Sequence, residues 1–348
     1  MMNFSLSIKN FFCHLLFCSG MARHKMNQLA RGSTLILMYH RILPESMVNA
    51  SIEPGMYVSA ESFALHLSYL AQYLEIISLA TIVAGNIPAH NDKGKPRCVI
   101  TFDDGWLDFL IHAFPLLQRF NAPATVFLPT NFIGTDRKFW TDTVIELLLQ
   151  EGKYQKSISA STDINKFRSN IVVQHLSQAD AVSGEGRFYQ IINGLKRHRA
   201  EDIYLALDEL KTAGALIASD SRSFLNWEEV RSLKNSGLIT FGSHTADHNI
   251  LTTIKADEVR RELSLSKDRL VKENAVPRER PLFFCYPNGN ANAELAAMVQ
   301  DAGYDGAVTT RKGWNALGAN RFLLNRIGLH EDMSSTPAMF ACRLAGFI

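Results

Sequence analysis

Paired cysteines are missing from this chain. Its five cysteines, at positions 13, 18, 98, 285 and 342, are scattered, odd in number and never spaced Cys-x-x-Cys. That argues against a disulfide framework and is compatible with a reducing compartment. A dominant charge is missing too. Thirty-six Lys and Arg face 34 Asp and Glu, a net charge of +2, so nothing electrostatic argues for a nucleic-acid partner. Internal repeats and low-complexity tracts are absent. No run is apolar enough to cross a bilayer. The stretch from Phe11 to Cys18 is too short for that, and His14 interrupts it. With Lys9 ahead of it, the stretch reads as a poor signal peptide without a clear cleavage site. Met21 and Met26 offer alternative starts. We expect residues 1–33 to be disordered or weakly leader-like, and the protein to be uncleaved and cytoplasmic, with a periplasmic or exported location as the alternative. No feature supports membrane association, and the oligomeric state is open.

What is present is the composition of a globular protein, 47% hydrophobic and 20% charged. Its 348 residues allow a sizeable core. Thr34 to Tyr39 reads as a buried strand that delivers His40 at its end. Ser59 should cap a helix with Phe63, Leu67, Leu70 and Leu74 on one face. Glu75 to Leu79 reads as a short strand and Asn86 to Pro96 as a polar loop. Pro115 should kink or delay a helix over Leu107–Phe120. Ala124 to Leu128, Leu238 to Phe241, Leu282 to Tyr286, Gly306 to Thr310 and Leu323 to Leu329 complete about seven strands. Lys255 to Asn274 reads as a long charged surface helix. Strands alternating with helices predict parallel βαβ units in a closed or nearly closed barrel. Residues from about 140 to 225 are mostly helical and polar, an expected insertion.

The chain is organised around Cys98-Val99-Ile100-Thr101-Phe102-Asp103-Asp104-Gly105. A buried strand ends in two carboxylates and a glycine. Buried acids need hydrogen bonds, a cation or a metal. Ligands of parallel α/β folds bind beyond the carboxyl ends of the strands. A second constellation, His244 and His248, follows another strand. On a helical turn, i and i+4 would share a face and could bind one ion. One carboxylate and two histidines can hold zinc or a similar divalent ion. Neighbouring residues of an extended strand point opposite ways. One acid would therefore ligate the metal while the other takes the proton of a metal-activated water.

Thr101-Phe102-Asp103-Asp104-Gly105 and Ser243-His244-Thr245-Ala246-Asp247-His248 together resemble the first two motifs of the polysaccharide deacetylase family, carbohydrate esterase family 4 with its NodB-homology domain. Ala122 to Phe127 and Phe284-Cys285-Tyr286-Pro287-Asn288-Gly289 resemble further segments of it. Leu37-Met38-Tyr39-His40-Arg41 resembles the start of an exopolysaccharide-associated branch. The resemblance implies a distorted (β/α)7 barrel over residues 34–348 and metal-dependent removal of N-acetyl groups from amino-sugar polymers. It makes Asp103 the general base and Asp104, His244 and His248 the metal ligands, with zinc the first choice. Tyr286 and Pro287 would line the acetyl pocket, the Tyr286 N–H being a candidate oxyanion donor. Trp106 would flank the site or simply pack.

Three departures stand out. The third motif lacks the arginine that orients the base in many relatives; Arg326 could substitute, or form a surface salt bridge. The fourth motif has only Trp314 as a loose match. In the fifth, His330 directly follows Leu329 instead of standing two residues on. His40 is the rival proton donor and stands slightly ahead. Two alternatives remain: a hydrolase of small cyclic amides or ureides on the same scaffold, and a non-catalytic glycan-binding protein.

Overall fold

Strands covered on both faces are unbroken apolar runs, and the sheet here is built from such runs. In the computed structural model, which describes residues 2–48, 54–84, 94–149, 169–179, 184–216, 222–276 and 281–348, seven short strands run parallel. They are β1 (Ser33–Tyr39), β2 (Arg97–Phe102), β3 (Ala124–Leu128), β4 (Ile239–Ser243), β5 (Phe283–Cys285), β6 (Gly306–Val308) and β7 (Ile327–Gly328). They pair in the order β7-β1-β2-β3-β4-β5-β6. Leu324 bridges to Val308 in parallel, and Ile327 pairs with Leu37. The segment 324–328 therefore touches both ends of the sheet and closes the ring. This is the expected distorted seven-stranded barrel.

Inward-facing residues come from alternate positions along the strands. Ile36, Val99, Phe127, Phe283, Cys285, Val308 and Leu324 form one buried cluster, joined by Leu79. Outside β1 and β2, Tyr39 stacks on Phe102 at 5.3 Å, and Phe63 meets both rings edge-on. Each such buried ring contributes about 2 to 3 kcal/mol.

Two helices occupy the N-terminal stretch, α1 (Met2–Cys18) and α2 (Met21–Leu29). Ser59 caps α3 (Ala60–Tyr73) by accepting the Ser62 N–H, as read from the sequence. The strand expected at 75–79 is shorter: only Glu75–Ile76 pairs, because Ser78 caps a helix from Leu79 to Val83. Pro115 sits in the first turn of a helix over Phe114–Arg119, and a π-helical turn at Phe109–Ala113 precedes it. The missing proline N–H is tolerated there. Asn226 caps α4 (Trp227–Asn235) with a reciprocal Glu229 bond. Then come α5 (Ala256–Lys272), α6 (Ala293–Asp301) and α7 (Pro337–Leu344). Residues 86–93 of the loop expected at 86–96 lie outside the described residues.

The chain divides into two compact units, Met1–Thr135 with Phe224–Ile348, and Asp136–Ser223. The first holds the barrel. The second has helices over Trp140–Leu149, Ile171–Gln178, Gly184–Leu195 and Ala200–Thr212. Leu147, Leu176, Ile191 and Leu207 are among its buried residues. Asn170 caps one of these helices and donates to the Ala206 carbonyl at 2.8 Å. Residues 150–168, 180–183 and 217–221 of the expected insertion lie outside the described residues.

Candidate active site

The ladder of β2 runs one residue beyond the strand, where the Asp103 N–H donates to the Tyr39 carbonyl at 2.9 Å. Asp104 then enters the left-handed region at φ +73°, and Gly105 follows at +66°. Aspartate tolerates that region better than most residues. The positive φ favours glycine at position 105, and a Cβ there would also displace the Leu128 side chain, 2.5 Å away. The two acids do face different surroundings, but not through strand alternation. The backbone reverses at Asp104.

Asp103 is enclosed by partners. Arg326 grips it with two bonds, Nη1 to Oδ1 and Nη2 to Oδ2, each 2.7 Å. The same guanidinium donates from Nε to the Thr309 carbonyl at 2.8 Å and from Nη1 to Thr101 Oγ1 at 3.1 Å. Cys285 Sγ lies 3.1 Å from Arg326 Nη2 and 3.5 Å from Asp103 Oδ2. Burial alone would raise the Asp103 carboxyl; the Arg326 charge outweighs it and holds the group below the ordinary range. Arg326 is fully buried, so the surface salt bridge is excluded. The contact is the one that a substitute for the missing third-motif arginine would make.

Asp104 differs. Its Oδ2 accepts from Trp106 Nε1 at 3.1 Å, so the tryptophan that was to flank or pack does both: its ring stacks on Phe224. Oδ1 of Asp104 is buried and accepts no hydrogen bond of good geometry. His244 Nε2 and His248 Nε2 lie 3.5 and 3.3 Å from it. The second nitrogen of His244, Nδ1, meets the Cys285 carbonyl at 2.8 Å. A carbonyl only accepts, so Nδ1 carries the proton and Nε2 offers a lone pair to the cluster. Burial lowers the His244 pKa to about 4, which keeps it neutral, the form that binds metal. One carboxylate oxygen and two imidazole nitrogens thus lie within 4.8 Å of one another. An orphaned buried anion facing two such nitrogens fits a divalent metal ion.

The histidine pair does not lie on a helical turn. Residues 244–250 form an irregular loop in which Thr245 and His248 have φ of +64° and +58°. Glu262 of α5 holds this loop. Its Oε2 accepts the Ala246 and Asp247 N–H groups at 2.8 and 2.9 Å, and Oε1 accepts Asn249 Nδ2 at 3.1 Å. Glu262 escaped the sequence reading, although it recurs on the apolar face of α5 with Val259, Leu263 and Leu270.

The remaining expectations divide. His40, just past β1, places Nε2 3.9 Å from Asp103 Oδ2. His330 stands just before the short helix Glu331–Ser334 without a side-chain bond to its first turn, and its Nδ1 meets the Gly55 carbonyl. The Tyr286 N–H is engaged in the sheet, donating to the Val308 carbonyl at 3.2 Å. It is therefore not free for an oxyanion, which corrects that expectation; the sheet order consumes it. Pro287 is buried and opens a tight turn to Gly289. Trp314 donates to the Leu344 carbonyl at 3.1 Å, at the end of α7.

A family profile described as polysaccharide deacetylase matches residues 90–158 and 188–307, more than half of the chain. No curated protein matches. Several solved structures share the fold. The Streptococcus pyogenes deacetylase PplD, in complex with acetate, has a TM-score of 0.53 at 20% identity, over 87% of this chain and 95% of that one. IcaB from Ammonifex degensii has a TM-score of 0.55 at 17% identity, over 89% and 97%. BC0361, a polysaccharide deacetylase from Bacillus cereus, has 0.54 at 17%, over 90% and 69%.

Proposed function

The chain belongs to the polysaccharide deacetylase family and is by that family a carbon–nitrogen hydrolase; from this premise we propose that it removes N-acetyl groups from an N-acetylhexosamine-containing glycan or its precursor. The observation that carries the reading is the orphaned Oδ1 of Asp104 facing two imidazole nitrogens. A divalent ion held by Asp104, His244 and His248, zinc by the chemistry of this donor set, would supply Lewis acidity to the acetamide carbonyl and to the attacking water.

The other steps belong to side chains. Asp103 is ionised and fixed in orientation by two Arg326 bonds, so it accepts the proton of the attacking water as general base. His40 is the proton donor to the departing amine. It lies within 3.9 Å of Asp103 and is 17% exposed, within reach of a substrate. His330, whose Nδ1 meets the Gly55 carbonyl, is the second candidate, because the contact with Asp103 belongs to His40. The likeness of residues 37–41 to the exopolysaccharide-associated branch supports a polymer or its precursor as substrate.

The test is acetate release from N-acetylated oligosaccharides, using chelated protein reloaded with zinc, cobalt, nickel or manganese. Asp103→Asn should retain metal and lose about 10²- to 10⁴-fold in turnover, the usual contribution of a general base. His244→Ala should lose the metal itself. Equal metal content in the two variants would refute the assignment.

A further inference from the structure

The first helix has more apolar surface than its packing covers. One side of α1 is buried: Cys13 is 0% and Leu16 5% exposed. That side meets α7, where the Cys342 thiol lies 3.7 Å from the Cys13 carbonyl. Phe17 adds a ring contact to Tyr69 of α3 at 6.5 Å. The opposite side carries Ile8, Phe11, Phe12 and Leu15, which are 56%, 66%, 48% and 51% exposed. Their i, i+3, i+4, i+7 spacing places them in a single stripe. A contiguous exposed stripe with two phenylalanines marks an interaction surface.

The charge of the N-terminal segment argues for one occupant. The 44 residues before Glu45 contain Lys9, Arg23, Lys25, Arg31 and Arg41 and no Asp or Glu, so the rest of the chain is net acidic. Arg23, Lys25 and Arg31 are exposed, on α2 and just after it. Lys9 stands at i−4 and i−7 to Cys13 and Leu16, on the half-buried side of α1, and is not part of the stripe. A second copy of this chain docked through the same stripe by a twofold axis would bring like cations together. An anionic bilayer surface accepts both the apolar stripe and the cations. Among the described residues no helix is long and apolar enough to cross a membrane, so α1 would lie in the interface plane.

We infer that α1 and α2 form a docking face for an anionic lipid surface, with Ile8, Phe11, Phe12 and Leu15 entering the acyl boundary and the exposed Arg23, Lys25 and Arg31 meeting headgroup phosphates. The sequence alone left membrane association possible but unsupported. Lipid docking stands apart from the deacetylase reading, since its measurement needs no turnover.

The experiment is co-sedimentation of the full chain with vesicles of phosphatidylcholine alone and of equal phosphatidylcholine and phosphatidylglycerol. The wild-type protein should pellet with the anionic vesicles at least tenfold more strongly than with the neutral ones. A Phe11→Ser, Phe12→Ser double variant should lose at least tenfold in partitioning to the anionic vesicles while keeping its thermal midpoint. Phe11 is mostly exposed and Phe12 half-exposed, so the change removes little packed surface. Lys25→Glu should weaken binding about threefold and make the remaining binding less sensitive to salt. Equal pelleting of the double variant and wild type overturns the proposal. So does the absence of binding to either vesicle. A wild-type dimer by light scattering that the double variant converts to monomer also overturns it, since the stripe would then belong to a second copy.

Discussion

His66 and His244 are both buried histidines whose pKa burial lowers to about 4, yet they are wired differently. His66, on α3, has both nitrogens engaged: Nδ1 pairs with the Tyr39 hydroxyl at 3.1 Å and Nε2 with the Ser334 carbonyl at 2.7 Å. Its ring stacks on Phe340 at 4.0 Å. His244 has one nitrogen on the Cys285 carbonyl, while the other faces Asp104 Oδ1 at 3.5 Å. The two carboxylates repeat the contrast. Asp103 is gripped by Arg326 at both oxygens, whereas Asp104 keeps one buried oxygen without a hydrogen bond. Burial and lowered basicity do not distinguish a structural group from a ligand. What distinguishes them is whether the protein itself completes the group's bonds.

The sharpest way to break the comparison is to remove a partner on the completed side. Arg326→Met leaves Asp103 buried without its cation and should destabilise the fold by about 3 to 5 kcal/mol. Asp104→Asn on the incomplete side should leave the metal-free protein as stable as wild type, or slightly more so. Urea unfolding of chelated samples decides between them. Equal losses in the two variants would show that the carboxylates are not wired differently.

The histidines permit a pH test of the same idea. His66 has a folded pKa of about 4 against 6.5 unfolded. The unfolded chain therefore binds the proton first as pH falls. The associated stability is intact above pH 6.5 and is lost between 6.5 and 4, about 3 kcal/mol in all at ~1.36 kcal/mol per unit. His66→Gln keeps a donor and an acceptor but cannot titrate. It should flatten the fall in unfolding free energy over that range by about one proton. Added zinc should not move the His66 contribution, because neither of its nitrogens is available. A zinc-dependent change in the His66 contribution would contradict the wiring.

Much of this was visible in the sequence. Apolar runs ending in Asp103-Asp104-Gly105 and in His244 identified two barrel strands and the groups at their ends, since strand periodicity and strand-end chemistry are local properties. Arg326 was visible only as one of two possibilities, because its partner is 223 residues away. The Tyr286 N–H was misread because its availability depends on which strand pairs with β5. The separation of the two acids was expected from strand alternation but arises from a left-handed Asp104, and a single sequence does not specify that angle. The stripe on α1 was hidden for a different reason. The helix is apolar on several sides, so only packing on α7 shows which side is left uncovered.

Glu262 gives the smallest predicted effect and sharpens the comparison most. His66 is held by packing and by its own two bonds, but His248 depends on a loop. That loop has left-handed residues at Thr245 and His248, conformations that cost non-glycine residues roughly 1 kcal/mol or more each. Three bonds to the Glu262 carboxylate offset that strain. Glu262→Gln preserves size but replaces one acceptor oxygen with a donor. If the amide oxygen keeps the Ala246 and Asp247 N–H groups, its NH2 faces the Asn249 amide. The loop should loosen without unfolding the barrel, and metal affinity should fall about 10- to 100-fold, as for other groups that orient a ligand. Competition with a chelator of known affinity measures this directly. Unchanged metal affinity would mean that the loop holds His248 without help, and that the incomplete corner is as self-sufficient as the His66 pocket.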